Sequence, residues 1–196
     1  MKIFIVVLVL IFSLQSWTRA DDIRDFQIEG MSIGDSALKY FSENKIEDIK
    51  KNTEVFVYDD KTFYSLTFFK GPQIKFYDAV QFHLKAKDKK YIIYSISGRV
   101  FYKDKIEECY KKMNEVVDDI KTLFEDPEIY DAGFGEVESH DGHIYIVNSV
   151  YVTLKSGDEI AVECYDIPPE KNITDNLNIA IDSKEFVNWL HNEAYN

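Results

Sequence analysis

The sequence predicts an α+β protein: a single antiparallel sheet of five or six strands, helices packed on one face, in the order ααβββ-αβββα. Three observations carry this. Aromatic and β-branched runs recur at hairpin spacing, separated by turn residues. One long segment, Asp104 to Phe124, repeats apolar residues at three- and four-residue steps. The chain has 196 residues, 45% hydrophobic and 15% aromatic, which excludes a disordered tail and supports one core.

Taken in order, residues 1–20 predict a secretory signal peptide. Lys2 precedes an apolar run from Ile3 to Leu14, interrupted by Ser13, and Thr18-Arg19-Ala20 offers a small-x-Ala cleavage site. The run is shorter than the roughly 20 residues a membrane-spanning helix needs. The expected product is an exported, periplasmic or secreted protein with no membrane anchor after cleavage, and residues 21–196 form a single globular domain. Removing the signal deletes Lys2 and Arg19, leaving 21 basic against 35 acidic residues. Such a balance favours solubility and excludes a phosphate-neutralising nucleic-acid binder.

Ser32 with Asp35 reads as a capping box opening a first helix through Phe41, and Ser42 opens a second through Ile49. Three strands follow at Thr62–Phe69, Phe76–Lys85 and Tyr91–Tyr102. Val80, Phe82 and Leu84 share one face, as do Ile92, Tyr94, Ile96 and Val100. Asp104 with Glu107 caps the long helix, whose apolar stripe lies across the sheet. Glu125 to Gly142, with Pro127, Gly133 and Gly135, reads as a connection. A hairpin of His143–Leu154 and Asp158–Asp166, then Asn176–Ile181, supply the remaining strands. Asp182 with Glu185 caps a closing helix bearing Phe186, Trp189 and Leu190. The two halves share a pattern of elements without a residue-level repeat.

Cys109 lies on the helix stripe, and Cys164 shares a strand face with Ile160 and Val162, so both thiols point into the helix–sheet interface. In an oxidising compartment they form a disulfide; the alternative is two buried free thiols. His140 and His143, with Glu136 and Glu138 upstream, are the metal candidates, set against a solvated Asp141-Gly142 turn. His83 lies on the polar side of its strand without a visible partner. Nucleophile-elbow, Walker, dinucleotide and CxxC patterns are absent, and no cofactor or catalytic residue is indicated. The outward sheet face collects Phe63, Phe69, Phe101 and the tyrosines Tyr77, Tyr91, Tyr145, Tyr151 and Tyr165. These are either an interaction face or cross-strand stacking.

The segment Ile28-Glu29-Gly30-Met31-Ser32-Ile33-Gly34-Asp35-Ser36, continuing to Tyr40-Phe41, resembles uncharacterised secreted proteins of marine, Pelagibacter-type alphaproteobacteria. That resemblance implies periplasmic export and carries no catalytic residue. The layout is also similar to the BamE (SmpA/OmlA) and β-lactamase-inhibitor-protein folds, which implies a binding or assembly role; a lipobox cysteine is missing. The functional expectation is a non-catalytic binding or interaction protein with a protein or small ligand as partner. The alternatives are a metal-dependent hydrolase using His140 and His143, and a small-molecule carrier holding its ligand between the long helix and the sheet.

Overall fold

The structure, a computed structural model, describes residues 22–51, 55–58, 60–138, 142–168 and 174–194. The signal segment and His140 therefore lie outside the described residues. Three α-helices occur among them: α1 (Glu43–Lys50), α2 (Ile106–Leu123) and α3 (Lys184–Asn192). Eight strands form one sheet: β1 (Val55–Val57), β2 (Phe63–Phe69), β3 (Ala79–Lys85), β4 (Ile93–Phe101), β5 (Glu128–Glu138), β6 (Ile144–Thr153), β7 (Glu159–Asp166) and β8 (Asn176–Asp182). Their order is β1-β2-β3-β4-β8-β7-β6-β5, with every neighbouring pair antiparallel. Each half is a helix followed by a four-stranded meander, and the halves meet at β4 and β8.

The α+β class and the antiparallel sheet are as expected; the strand number and helix arrangement are not. β1 and β5, both edge strands, were missed. β5 exposes nearly its whole length, so neither of its faces carries a core-coded alternation. Gly133, at φ 64, lies where the register shifts against β6. The expected first helix is only a 3₁₀ turn, Ala37–Lys39. Asp35 does accept from the Ser32 amide at 3.3 Å, but Ser32 donates its hydroxyl to the Arg24 carbonyl at 2.6 Å. Gly34 then turns left-handed at φ 83 while its amide donates to the Ile93 carbonyl, which ties the segment to the start of the inner strand β4 instead of coiling it.

Capping differs in the same way. Lys103 and Asp104 both take positive φ, and Lys105 begins α2 without a side-chain cap. Ser183, not Asp182, caps α3 by accepting from the Phe186 amide, which leaves Asp182 as the last residue of β8.

α1, α2 and the N-terminal segment cover one sheet face. Leu66, Phe82, Ile96, Ile179, Val162 and Val152 are buried there against Ile46, Met113, Val117 and Ile120. The Cys109–Cys164 disulfide joins α2 to β7 within this core, with the Cα atoms 6.0 Å apart. α3 lies on the opposite face, contrary to the one-face expectation, because its Phe186 and Trp189 pack on Phe63 and Tyr58. The shift in β3–β4 register beside Leu84 also buries Ile93 with Ile96 and turns Tyr94 towards Phe63, so the expected Ile92–Tyr94–Ile96 face does not form. No helix among the described residues is long and apolar enough to cross a membrane.

Two outcomes follow for stability. Replacing both cysteines with alanine opens a loop closed across 55 residues and should lower unfolding free energy by about 2–4 kcal/mol in urea titrations, with free-thiol labelling of the native protein negligible. Gly98→Ala would set a methyl 2.5 Å from the Tyr77 ring, and should cost about 1–3 kcal/mol in the same assay.

Candidate functional site

The sheet face opposite α2 is built from the other half of each alternation. On β8, Leu177, Ile179 and Ile181 go to the core, so Asn178, Ala180 and Asp182 go to the open side. β7 contributes Glu159, Ala161, Glu163 and Tyr165 by the same rule. Cross-strand register then sorts these residues into rows. Gln81, Ser97, Ala180, Ala161 and Tyr151 form the middle row. His83, Ser95, Asp182, Glu159 and Thr153 form one flank, and Arg99, Asn178, Glu163 and Ser149 the other. Three consecutive small residues, Ser97, Ala180 and Ala161, lie buried between longer polar side chains. The walls at Asn178 and Asp182 stand about 13 Å apart along β8.

One wall is organised around Glu163. Its carboxylate accepts from Tyr165 Oη at 3.0 Å and Asn178 Nδ2 at 3.1 Å, and more weakly from Ser149 and Tyr151, both at 3.4 Å. Arg99 lies across β8 from Glu163 and donates to Gln81 Oε1 at 3.1 Å; Gln81 in turn donates to Ser65 and Thr67. Burial pushes the Tyr165 phenol well above its ordinary range, with Glu163 adding to the effect. Burial also lowers the Arg99 guanidinium, while Tyr165 and Glu163 oppose that shift. This wall is internally satisfied except for Asn178 Oδ1, a buried acceptor that no donor among the described residues reaches.

The second wall runs under α3. His83 holds Tyr58 Oη at 3.1 Å through Nε2 and Ser95 Oγ at 3.1 Å through Nδ1, and Phe186 lies over its ring at 4.6 Å. Burial pushes the His83 imidazole down to about 3, with Arg99 assisting. Burial pushes the Asp182 carboxyl up to about 7; Ser95 opposes the shift, and Glu159 and Glu163 add to it. Burial raises Glu159 too, with Thr153 opposing. Asp182 Oδ1 is the second buried acceptor without a donor. Ser95 touches both a histidine and a carboxyl, but it is 1% exposed beneath this layer, so its hydroxyl is a structural bridge and not an accessible nucleophile.

The five expected tyrosines divide between the two faces. Tyr151 and Tyr165 stand in the basin wall, and Tyr145 continues the same face towards the β5–β6 tip, opposite Val137. Tyr77 instead lays its ring on Gly98 on the core side. Tyr91 is buried there as well, donating to Glu47 Oε1 at 2.9 Å beside Lys50. His143 is exposed, and among the described residues no three His, Cys, Asp or Glu side chains are grouped to hold a metal ion. The space between α2 and the sheet, expected for a carrier, is packed with the chain's own buried side chains. Glu159, Glu163, Asn178 and Arg99 were not singled out from sequence, and Asp182 was read only as a helix cap. The strict alternation of β7 and β8 was the signal available for them.

Neither a protein-family model, nor a curated protein, nor a solved structure matches the chain.

The two shifted groups set opposite pH dependences. Native Asp182 retains a proton that the unfolded chain releases near pH 4, so its contribution is complete below that pH and is lost as pH rises through about 7. Native His83 refuses a proton that the unfolded chain takes near its ordinary 6.5, so stability falls as pH drops from there towards about 3. Urea unfolding followed from acid to mild alkali should show Asp182→Asn flattening the decline towards neutral pH, by a few kcal/mol in order of magnitude, and His83→Gln flattening the acid limb.

Proposed function

We propose that the chain is an exported, soluble, non-catalytic binding protein that holds a small polar ligand in the basin over Ser97, Ala180 and Ala161. The observation that carries this reading is the construction of the basin. A row of small side chains runs between two polar rows, and each of those rows holds a buried acceptor that lacks a donor among the described residues. Unmet buried oxygens cost roughly 1–3 kcal/mol each, and a bound donor recovers that cost.

The disulfide supports an oxidising, periplasmic or extracellular setting, in keeping with the export expected from residues 1–20.

NMR titration of the purified protein against pooled amines, amino acids, carboxylates and sugars tests the reading. Amide shifts should cluster at Ser97, Ala161 and Ala180, and Ala161→Tyr, which fills the floor, should abolish them while the fold is retained. Shifts confined to other surfaces, or persisting in Ala161→Tyr, would overturn it.

A further inference from the structure

We propose that the free edge of β5 takes an extended, cationic segment of a partner protein as an added strand, and that this segment alternates Lys or Arg with apolar residues. The surface lies at the end of the sheet and does not depend on the basin.

β5 closes the strand order and pairs only with β6, so among the described residues the backbone along its other side has no strand partner. It is eleven residues long, whereas β1 at the opposite edge has three. Exposed edges are ordinarily kept short or guarded by Lys or Pro, because they template the addition of a further strand. β5 contains neither residue. Its one guard is the bulge at Gly133, which leaves residues 133–138 as a regular run. Tyr130, Phe134 and Val137 are exposed along the strand, and Ile144 is exposed beside them on β6.

The two faces of that run favour different partners. Register with β6 puts Phe134, Glu136 and Glu138 on the α2 side, where Phe134 meets Tyr110. The same register puts Gly133, Gly135 and Val137 on the other side. Nothing lies within 4 Å of the place a Cβ would occupy on Gly133 or Gly135, so this strip of the strand is bare. Large apolar side chains of an added strand fill such a strip, as aromatic residues do opposite edge glycines. On the α2 side Glu136 and Glu138 favour cations, and a cation opposite Phe134 lies against an exposed ring.

Charge selects the occupant. Glu128, Asp131, Glu136 and Glu138 all belong to β5, and among the described residues none of them is ion-paired with Lys or Arg. From residue 122 to residue 139 the sequence has no Lys, Arg or His. A second copy on this edge would set four carboxylates against the same four, in a chain of net charge -12, and like charges across strands destabilise the pairing. An alternating cationic segment relieves that repulsion while its backbone completes the edge, with hydrogen bonds supplying affinity and side chains supplying specificity.

The probe is the capped heptapeptide Lys-Val-Lys-Phe-Lys-Val-Lys, titrated into the purified protein by calorimetry and by NMR. Three controls accompany it: the counterpart with Glu for every Lys, a form of the same composition with its lysines gathered at one end, and a form with an N-methylated backbone. The probe should bind saturably, shift the amides of residues 133–138, and show intermolecular contacts to the β5 backbone. All three controls should bind at least about tenfold more weakly, as should the probe when 300 mM NaCl replaces 50 mM. Glu136→Lys with Glu138→Lys should weaken the probe by a similar factor, and Gly135→Val, which fills the bare strip, should weaken it without altering charge. Circular dichroism melts establish that the variants are folded. An N-methylated or lysine-clustered peptide that binds as well as the probe would overturn the proposal, since acidity alone would then explain binding. Shifts confined to other strands, or affinity unchanged in the folded Glu136→Lys, Glu138→Lys variant, would also overturn it. So would sedimentation showing a dimer held through β5, which would make a second copy the occupant.

Discussion

The seating of α2 across β7 and β8 governs the rest of the molecule. Cys109, Met113, Val116, Val117 and Ile120 are buried along one stripe of that helix, and each such side chain contributes about 1.5–3 kcal/mol on leaving water. The disulfide holds the stripe in one register by binding its first turn to the strand below. Once Ile160, Val162 and Cys164 are committed to α2, a two-residue period leaves Glu159, Ala161, Glu163 and Tyr165 no alternative but the other face. The polar basin is thus a consequence of the apolar interface beneath it.

α3 divides that second face unequally. Its Phe186 and Trp189 build a small aromatic cluster with Phe63 and Tyr58, sealing His83 and Ser95. Asn178 and Asp182, both buried, each retain an oxygen without a donor among the described residues. Asp182 lies at the boundary, at the end of β8 immediately before the cap of α3. Burial there keeps its carboxyl protonated up to about 7, so it weakens the fold near neutral pH. The edge strand β5 is a separate case. Its exposed Tyr130 and Phe134 are anchored by stacking on Tyr151 and by edge contact with Tyr110, so aromatic pairing does for this strand what core burial does for the others.

Much of this was legible from residues alone wherever one face of an element is buried. β2, β3, β4, β6, β7, β8, α1, α2 and α3 all fall within segments whose periodicity the sequence displays. β5 was not legible, because a strand exposed on both sides has no reason to alternate. The turn at Gly34 was misread because Ser32 and Asp35 suit a capped helix locally, while the hydrogen bond from Gly34 to Ile93 is made by distant sequence. Of the site, Tyr151 and Tyr165 were found by strand parity; Tyr77 and Tyr91 were misplaced because both lie outside the strands, where parity has no meaning.

By itself, then, the sequence determined the α+β class, the antiparallel pairing and the amphipathic helix that covers the sheet, while it left the two cysteines either bridged or free and the structure bridges them. Those are local or near-local properties, written in periods of 2 and 3.6 residues. Only the tertiary structure decided which strands are neighbours, and therefore that Asp182 stands beside Glu159, that Arg99 and Glu163 flank Asn178, and that Ala161, Ala180 and Ser97 line up as a floor. Strand order across the β4–β8 junction brings together residues from distant parts of the chain. No periodicity within either segment records which partner the other will be.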